Sequence, residues 1–226
     1  MKKITALLLT LMFLFSATAL AEGKLKATEK NLFVYTGDDN GYFFAKVENV
    51  GDSAVGVDSG DLVIFSEDDD IILSDSYVTT LPSYVVLQPG DYLYVKKFLW
   101  DSSLKNATIG DYKFSMPIRK STKTFTKIPC EATYKLEGTE SYDNYAYVTF
   151  TNTMEDPIFD FYVVVALYDA DGNLIFVDSN SLSNVAIHPG STVTTKLYID
   201  RDLMEYYKMN NINPATVDAM VLYPNE

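Results

Sequence analysis

Residues 143–152 read DNYAYVTFTN, and a shift of 103 positions lays them over residues 40–49, NGYFFAKVEN. Tyr145 meets Tyr42, Phe150 meets Val47 and Asn152 meets Asn49. In the later segment Ala146, Val148 and Phe150 alternate with Tyr145, Tyr147, Thr149 and Thr151. In the earlier one Phe43, Ala45 and Val47 take the apolar places, and Lys46 and Glu48 take two of the others. Successive side chains of a strand point to opposite faces, so a period of two predicts an antiparallel strand with one face on a core and one in water.

The same shift lays LVIFSEDDDII (62–72) over VALYDADGNLI (165–175) without a gap. Further along, VLQPGDY (86–92) meets AIHPGST (186–192) at a shift of 100. Two copies of one unit follow, at about 22–122 and 123–226, each the size of a small domain. FYVVVALY (161–168) is apolar on both faces and suits a central strand covered on both sides. Turn signals recur at Gly37 to Gly41, Gly51-Asp52, Pro89-Gly90, Asp171-Gly172 and Pro189-Gly190. Short strands between such turns predict an all-β fold, two antiparallel β-sandwich domains in tandem. Helical signal is scant. Residues 200–211 suit one or two turns with Asp200 or Asp202 as N-cap, and residues 100–106 a shorter turn. The segment MPIRKSTKTFTK (116–127) holds Arg119, Lys120, Lys123 and Lys127 and reads as a solvated linker between two acidic units.

The N-terminus carries export signals. Lys2 and Lys3 precede an apolar run from Ile4 to Phe15, and Ala19-Leu20-Ala21 fits a signal-peptidase site, so residues 1–21 are expected to be removed after Ala21. A membrane span needs roughly 20 apolar residues, which this run does not reach, and no second long apolar run exists. The expected product is secreted or extracytoplasmic, with no membrane span once the signal is gone. The formal net charge of −13 argues against nucleic acid, because phosphate recognition needs clustered Lys and Arg. Exported proteins normally use cysteines in pairs; here Cys130 stands alone, so burial must stabilise the fold.

VVVALYDADGNLI followed by IHPGS resembles the FxLYD domain of bacterial exported proteins. Leu167, Tyr168 and Asp169 match the last three letters of that motif, and Val165 stands in the Phe place. The resemblance lies mainly in the second half. It implies an immunoglobulin-like sandwich and transfers no functional residue.

Chemical hooks are few. His188 is the only histidine and precedes a Pro-Gly turn, so a Cys130–His188 pair lacks a catalytic context. No phosphate loop, GxSxG elbow or HExxH motif occurs, and small strand-rich domains with short turns leave little room for a deep cleft. No enzymatic activity is expected. Asp169, Asp171 and Asn173 have the spacing of the first half of a calcium loop, but the twelfth place is Asn180 rather than a glutamate. Asp-Gly between apolar runs is equally the chemistry of a tight turn, which is the favoured reading. Tyr145, Tyr147, Tyr162 and Trp100 could stack sugars if exposed, or pack across strands if not. The expected function is therefore an exported binding, adhesion or envelope-interaction protein with a protein or glycan partner and no obligatory cofactor. The alternative is a carbohydrate-binding module, with calcium as a possible aid.

Overall fold

The computed structural model describes residues 22–35, 37–136 and 144–225; the expected signal peptide lies outside them. Among the described residues no helix is long and apolar enough to cross a membrane.

The chain is all-β and antiparallel, as its alternation predicts. The first half supplies β1 (Leu25–Val34), β2 (Asn40–Asn49), β3 (Val55–Val57), β4 (Ser59–Ser66), β5 (Ile71–Leu81), β6 (Val85–Leu87), β7 (Tyr92–Trp100) and β8 (Ile109–Ser115). Six of them form one sheet in the order β1-β2-β7-β5-β4-β8. That sheet folds over at β5, whose early residues pair with β4 and whose last two, Thr80 and Leu81, pair with β7. Folding over brings Phe43 of β2 to 4.9 Å from the ring of Phe114 on β8. Phe43, Ala45, Val47, Leu62, Ile64, Val78, Val95, Leu99 and Leu104 close a dry core between the two leaves. The inward places assigned to Phe43, Ala45 and Val47 are the observed ones.

The second half is also built of antiparallel strands, in two separate sheets. It supplies β9 (Phe125–Ile128), β10 (Cys130–Leu136), β11 (Asn144–Thr151), β12 (Phe161–Asp169), β13 (Leu174–Leu182), β14 (Thr192–Tyr198), α1 (Arg201–Asn210) and β15 (Pro214–Pro224). One sheet runs β10-β11-β14 and the other β13-β12-β15-β9. β12 is central, and Val163 to Leu167 are fully buried on both faces. Phe150 and Phe161 meet edge-on across the sandwich at 5.1 Å.

The sequence correspondences reappear as shared hydrogen bonds. Asn49 and Asn152 are both buried. Asn49 Nδ2 donates to the carbonyls of Ser53 (2.8 Å) and Leu87 (3.1 Å), and Asn152 Nδ2 donates to those of Asp156 (3.0 Å) and Ile187 (2.7 Å). Each Oδ1 accepts the N–H two residues on, from Gly51 or Met154. A buried amide is costly unless its donors and acceptor are met. Both asparagines are met in the same way, and each thereby ties a strand end to the Pro-Gly turn region beside it.

Two expectations change. α1 is a full helix of ten residues rather than one or two turns. Asp200 caps it, accepting the N–H groups of Asp202 and Leu203, and Leu203 and Tyr207 bury its inner face. Its counterpart at Ser102–Leu104 stays a single 3-10 turn capped by Asp101. Residues 116–127 are not a free linker. Arg119 bridges to Gly56, the Lys123 carbonyl accepts the N–H of Val86, Lys127 reaches Asp91 at 2.7 Å, and β9 begins at Phe125. The backbone of the segment is anchored, while its basic side chains stay exposed and only Lys127 pairs with a carboxylate of the first half.

Candidate functional site

Cross-strand partners share a face, so Phe33, Tyr42, Phe44, Tyr92, Tyr94, Lys96, Phe98 and Trp100 all lie on the side of β1-β2-β7 opposite Phe43. The alternation of β2 predicts that this face is wet. Instead it is largely covered, because the edge strand β13 and helix α1 of the second half rest on it. Phe44 packs on Phe176 at 6.2 Å, and Phe33 packs edge-on against Tyr206 (5.5 Å) and Tyr207 (5.7 Å). Asn31 Nδ2 donates to the Leu174 carbonyl at 3.1 Å.

The seam is tied by tyrosine hydroxyls. Tyr92 and Tyr94 donate to Asp218 Oδ2 at 2.8 and 2.7 Å, and the hydroxyls of Tyr94 and Tyr168 are 2.8 Å apart. Burial, then the bonds to Tyr168 and Asp218, raises the pKa of Tyr94 far above the usual phenol value. Burial, then Asp218, does the same for Tyr92. Lys96 closes the line with a 2.8 Å ion pair to Asp178.

Beyond that ion pair the two halves diverge and leave an open cleft of about 480 Å³. Tyr42, Phe44 and Phe176 form its apolar wall, Tyr198 stands at its mouth, and Lys96, Asp178, Asp200, Arg201 and Asp202 supply polar groups. Burial, with Asp200 next, pushes the Tyr42 phenol upward, so its hydroxyl stays protonated as a donor. This cleft arises between the halves, which no local pattern predicts.

The sequence-predicted sites fall as follows. Asp169, Asp171 and Asn173 are together in one turn between β12 and β13. Asp169 Oδ1 accepts the N–H groups of Asp171 (3.0 Å) and Asn173 (2.8 Å), and Oδ2 accepts Nδ2 of Asn173 (2.9 Å). Desolvation is the largest single effect and opposes these bonds, but together they outweigh it and hold the Asp169 carboxyl below its usual range. The first half builds the same turn with Ser66, whose Oγ accepts the N–H groups of Asp68 and Asp70, both at 3.2 Å. Among the described residues no group of three or more His, Cys, Asp or Glu side chains converges as a metal site would.

Cys130 lies on β10 half-buried, with Sγ 3.6 Å from the Ala219 carbonyl. Burial, then nearby Asp218, raises its pKa. His188 is exposed, and its carbonyl closes the Pro-Gly turn by accepting the N–H of Ser191. Tyr162 is a packing residue, edge-on to Phe125 at 5.8 Å. Tyr145 and Tyr147 sit side by side on the outer face of β11, with Tyr198 of β14 next to Tyr145 at 5.4 Å. Trp100 is 77% exposed. Phe98, Tyr42 and Tyr198 escape sequence reasoning, although Phe98 stands two residues before Trp100 and so shares its strand face.

No protein-family model matches the chain, and the search among curated proteins finds no relative. Likenesses to solved structures are distant in the three examples that follow. Red sea bream transglutaminase aligns at 12% identity and a TM-score of 0.25, over 95% of this chain and 30% of that one. The exo-chitosanase of Amycolatopsis orientalis aligns at 15% and 0.24, over 86% and 26%. A Bacteroides uniformis beta-glucuronidase aligns at 6% and 0.23, over 88% and 30%. This chain thus spans under a third of each, and such scores carry no argument about function.

Proposed function

We propose that this is an exported, non-enzymatic binding protein that holds a partner outside the cytoplasm, as the N-terminal signal expected from residues 1–21 suggests. The observation that carries the reading is the cleft between the halves. It joins an apolar aromatic wall to a few convergent polar groups, the usual composition of a binding site. The hydrogen-bonded seam beside it holds both walls in place, which lowers the ordering cost of binding. The groups that could do chemistry are poorly set for it: Cys130 is driven towards the thiol, and His188 sits on an exposed turn. A protein or glycan of the cell surface is the expected class of partner.

The test is retention. The mature protein, immobilised, should hold a component of envelope or host-surface extracts and release it chemically unchanged. Recovery of a cleaved or modified partner, or no retention from any extract, would sink the reading.

A further inference from the structure

The cleft continues onto the surface as a track of aromatic rings. Lys96, Phe98 and Trp100 occupy alternate positions of β7 on the face that carries the cleft. At about 3.4 Å per residue Trp100 stands roughly 14 Å beyond Lys96. Phe98 is half-exposed beside Tyr42, ring to ring at 5.2 Å. Tyr198, at the mouth, is more than half exposed, with Tyr145 and Tyr147 behind it.

Ring faces alone would suit any apolar partner. The polar groups among them narrow the choice. Lys96 directs one of its three N–H bonds to Asp178, so the pair sets donors and acceptors side by side. Lys96, Arg201 and Lys196, whose ammonium lies 5.1 Å from the centre of the Tyr198 ring, offset the charges of Asp178, Asp200 and Asp202. Asp200 caps α1 through Oδ1, and the guanidinium of Arg201 lies 3.9 Å from Asp202. The site therefore offers aromatic faces and paired donors and acceptors with little net charge of its own. An ionic ligand would gain little there, and an anionic one would also meet a chain of net charge −13. A sugar ring has the matching chemistry: C–H faces to lie on aromatic rings, and hydroxyls that both donate and accept.

We infer that the cleft and its aromatic track bind an uncharged oligosaccharide, with Tyr198, Phe98 and Trp100 as stacking platforms and Lys96–Asp178 as the hydrogen-bonding pair. This rests on the binding reading above and names its ligand class.

Trp100 is the only tryptophan, so its fluorescence reports directly on the track. Titrating the mature protein with a panel of neutral oligosaccharides should shift Trp100 emission to shorter wavelength for at least one member. Calorimetry with that sugar should show Trp100→Ala and Tyr198→Ala each weakening binding about tenfold, the loss expected when an anchor is truncated. Tyr77→Ala, an exposed tyrosine on β5, should leave it unchanged. Both anchors are exposed, so thermal melts of the variants should match the parent. No response to any neutral sugar, binding that ignores both anchor variants, or a preference for anionic glycans would overturn the inference. If the sugars fail while a surface protein is retained in the extract experiment, the glycan assignment falls and the binding reading stands. If both experiments are blank, both fall.

Discussion

Phe43 and Phe44 are neighbours on β2, both fully buried, yet they belong to different environments. Phe43 faces a core of aliphatic and aromatic side chains inside the first half. Phe44 faces the seam, where rings from both halves meet and Tyr92, Tyr94, Tyr168 and Asp218 bring polar tips with them. The interior of one sandwich can be filled by apolar shape alone. The seam is continuous with the core of the second half and is lined by residues that tolerate either situation: tyrosines bury a ring and still find a partner for the hydroxyl. One sheet, β1-β2-β7, thus serves two cores of different chemistry and makes the halves one packed body.

Truncating each ring in turn separates the two environments. Phe43→Ala and Phe44→Ala should each cost about 3–5 kcal/mol of unfolding free energy, the range for emptying a buried aromatic site. Urea unfolding followed by far-UV circular dichroism measures both. Were the seam a loose contact between independent units, Phe44→Ala would cost little, and unfolding would separate into two steps.

What the sequence makes legible follows from range. Alternation in 143–152, the fully apolar 161–168 and the match of Asn49 to Asn152 are local signals, and each corresponds to an observed strand or hydrogen-bond set. The face of β2 carrying Tyr42, Phe44, Lys46 and Glu48 reads as wet because Lys46 and Glu48 are charged. Whether Tyr42 and Phe44 are covered depends on Phe176 and Tyr206, more than a hundred positions away, and no local period reports that. The cleft was illegible for the same reason. Trp100 was recognisable as a candidate platform. Tyr162 reads the same way in the sequence, but Phe125 of the short edge strand β9 packs against it.

The tyrosine tips make the stability of the seam depend on pH. Tyr94 has its pKa raised by burial first and then by Tyr168 and Asp218, so the native state holds its proton where the unfolded chain, with a phenol near 10, releases it. The stabilisation is complete below about pH 10 and declines as pH rises beyond it, by up to about 1.4 kcal/mol per pH unit for each such group. Denaturation at pH 8, 10 and 11 should show that fall, and Tyr94→Phe should make it shallower. A parent protein equally stable at pH 8 and 11 would mean that the hydroxyls do not tie the seam.

The smallest effect separates the twin turns. Gly172 and Asp69 occupy the same place in their turns, with φ of 81° and 63°. A left-handed conformation costs an L-residue about 1–2 kcal/mol. Nothing lies within 4 Å of where a Cβ on Gly172 would stand, so Gly172→Ala tests the backbone alone and should destabilise by about that amount. Asp69→Gly removes the same penalty from the first turn but adds the unfolded-state freedom of glycine, about 0.5–1 kcal/mol in the opposite sense. Its net effect should be a gain of at most about 1.5 kcal/mol, read as a small rise in melting temperature. If Asp69→Gly destabilises instead, Asp69 contributes through its side chain, and the two turns are alike in backbone only.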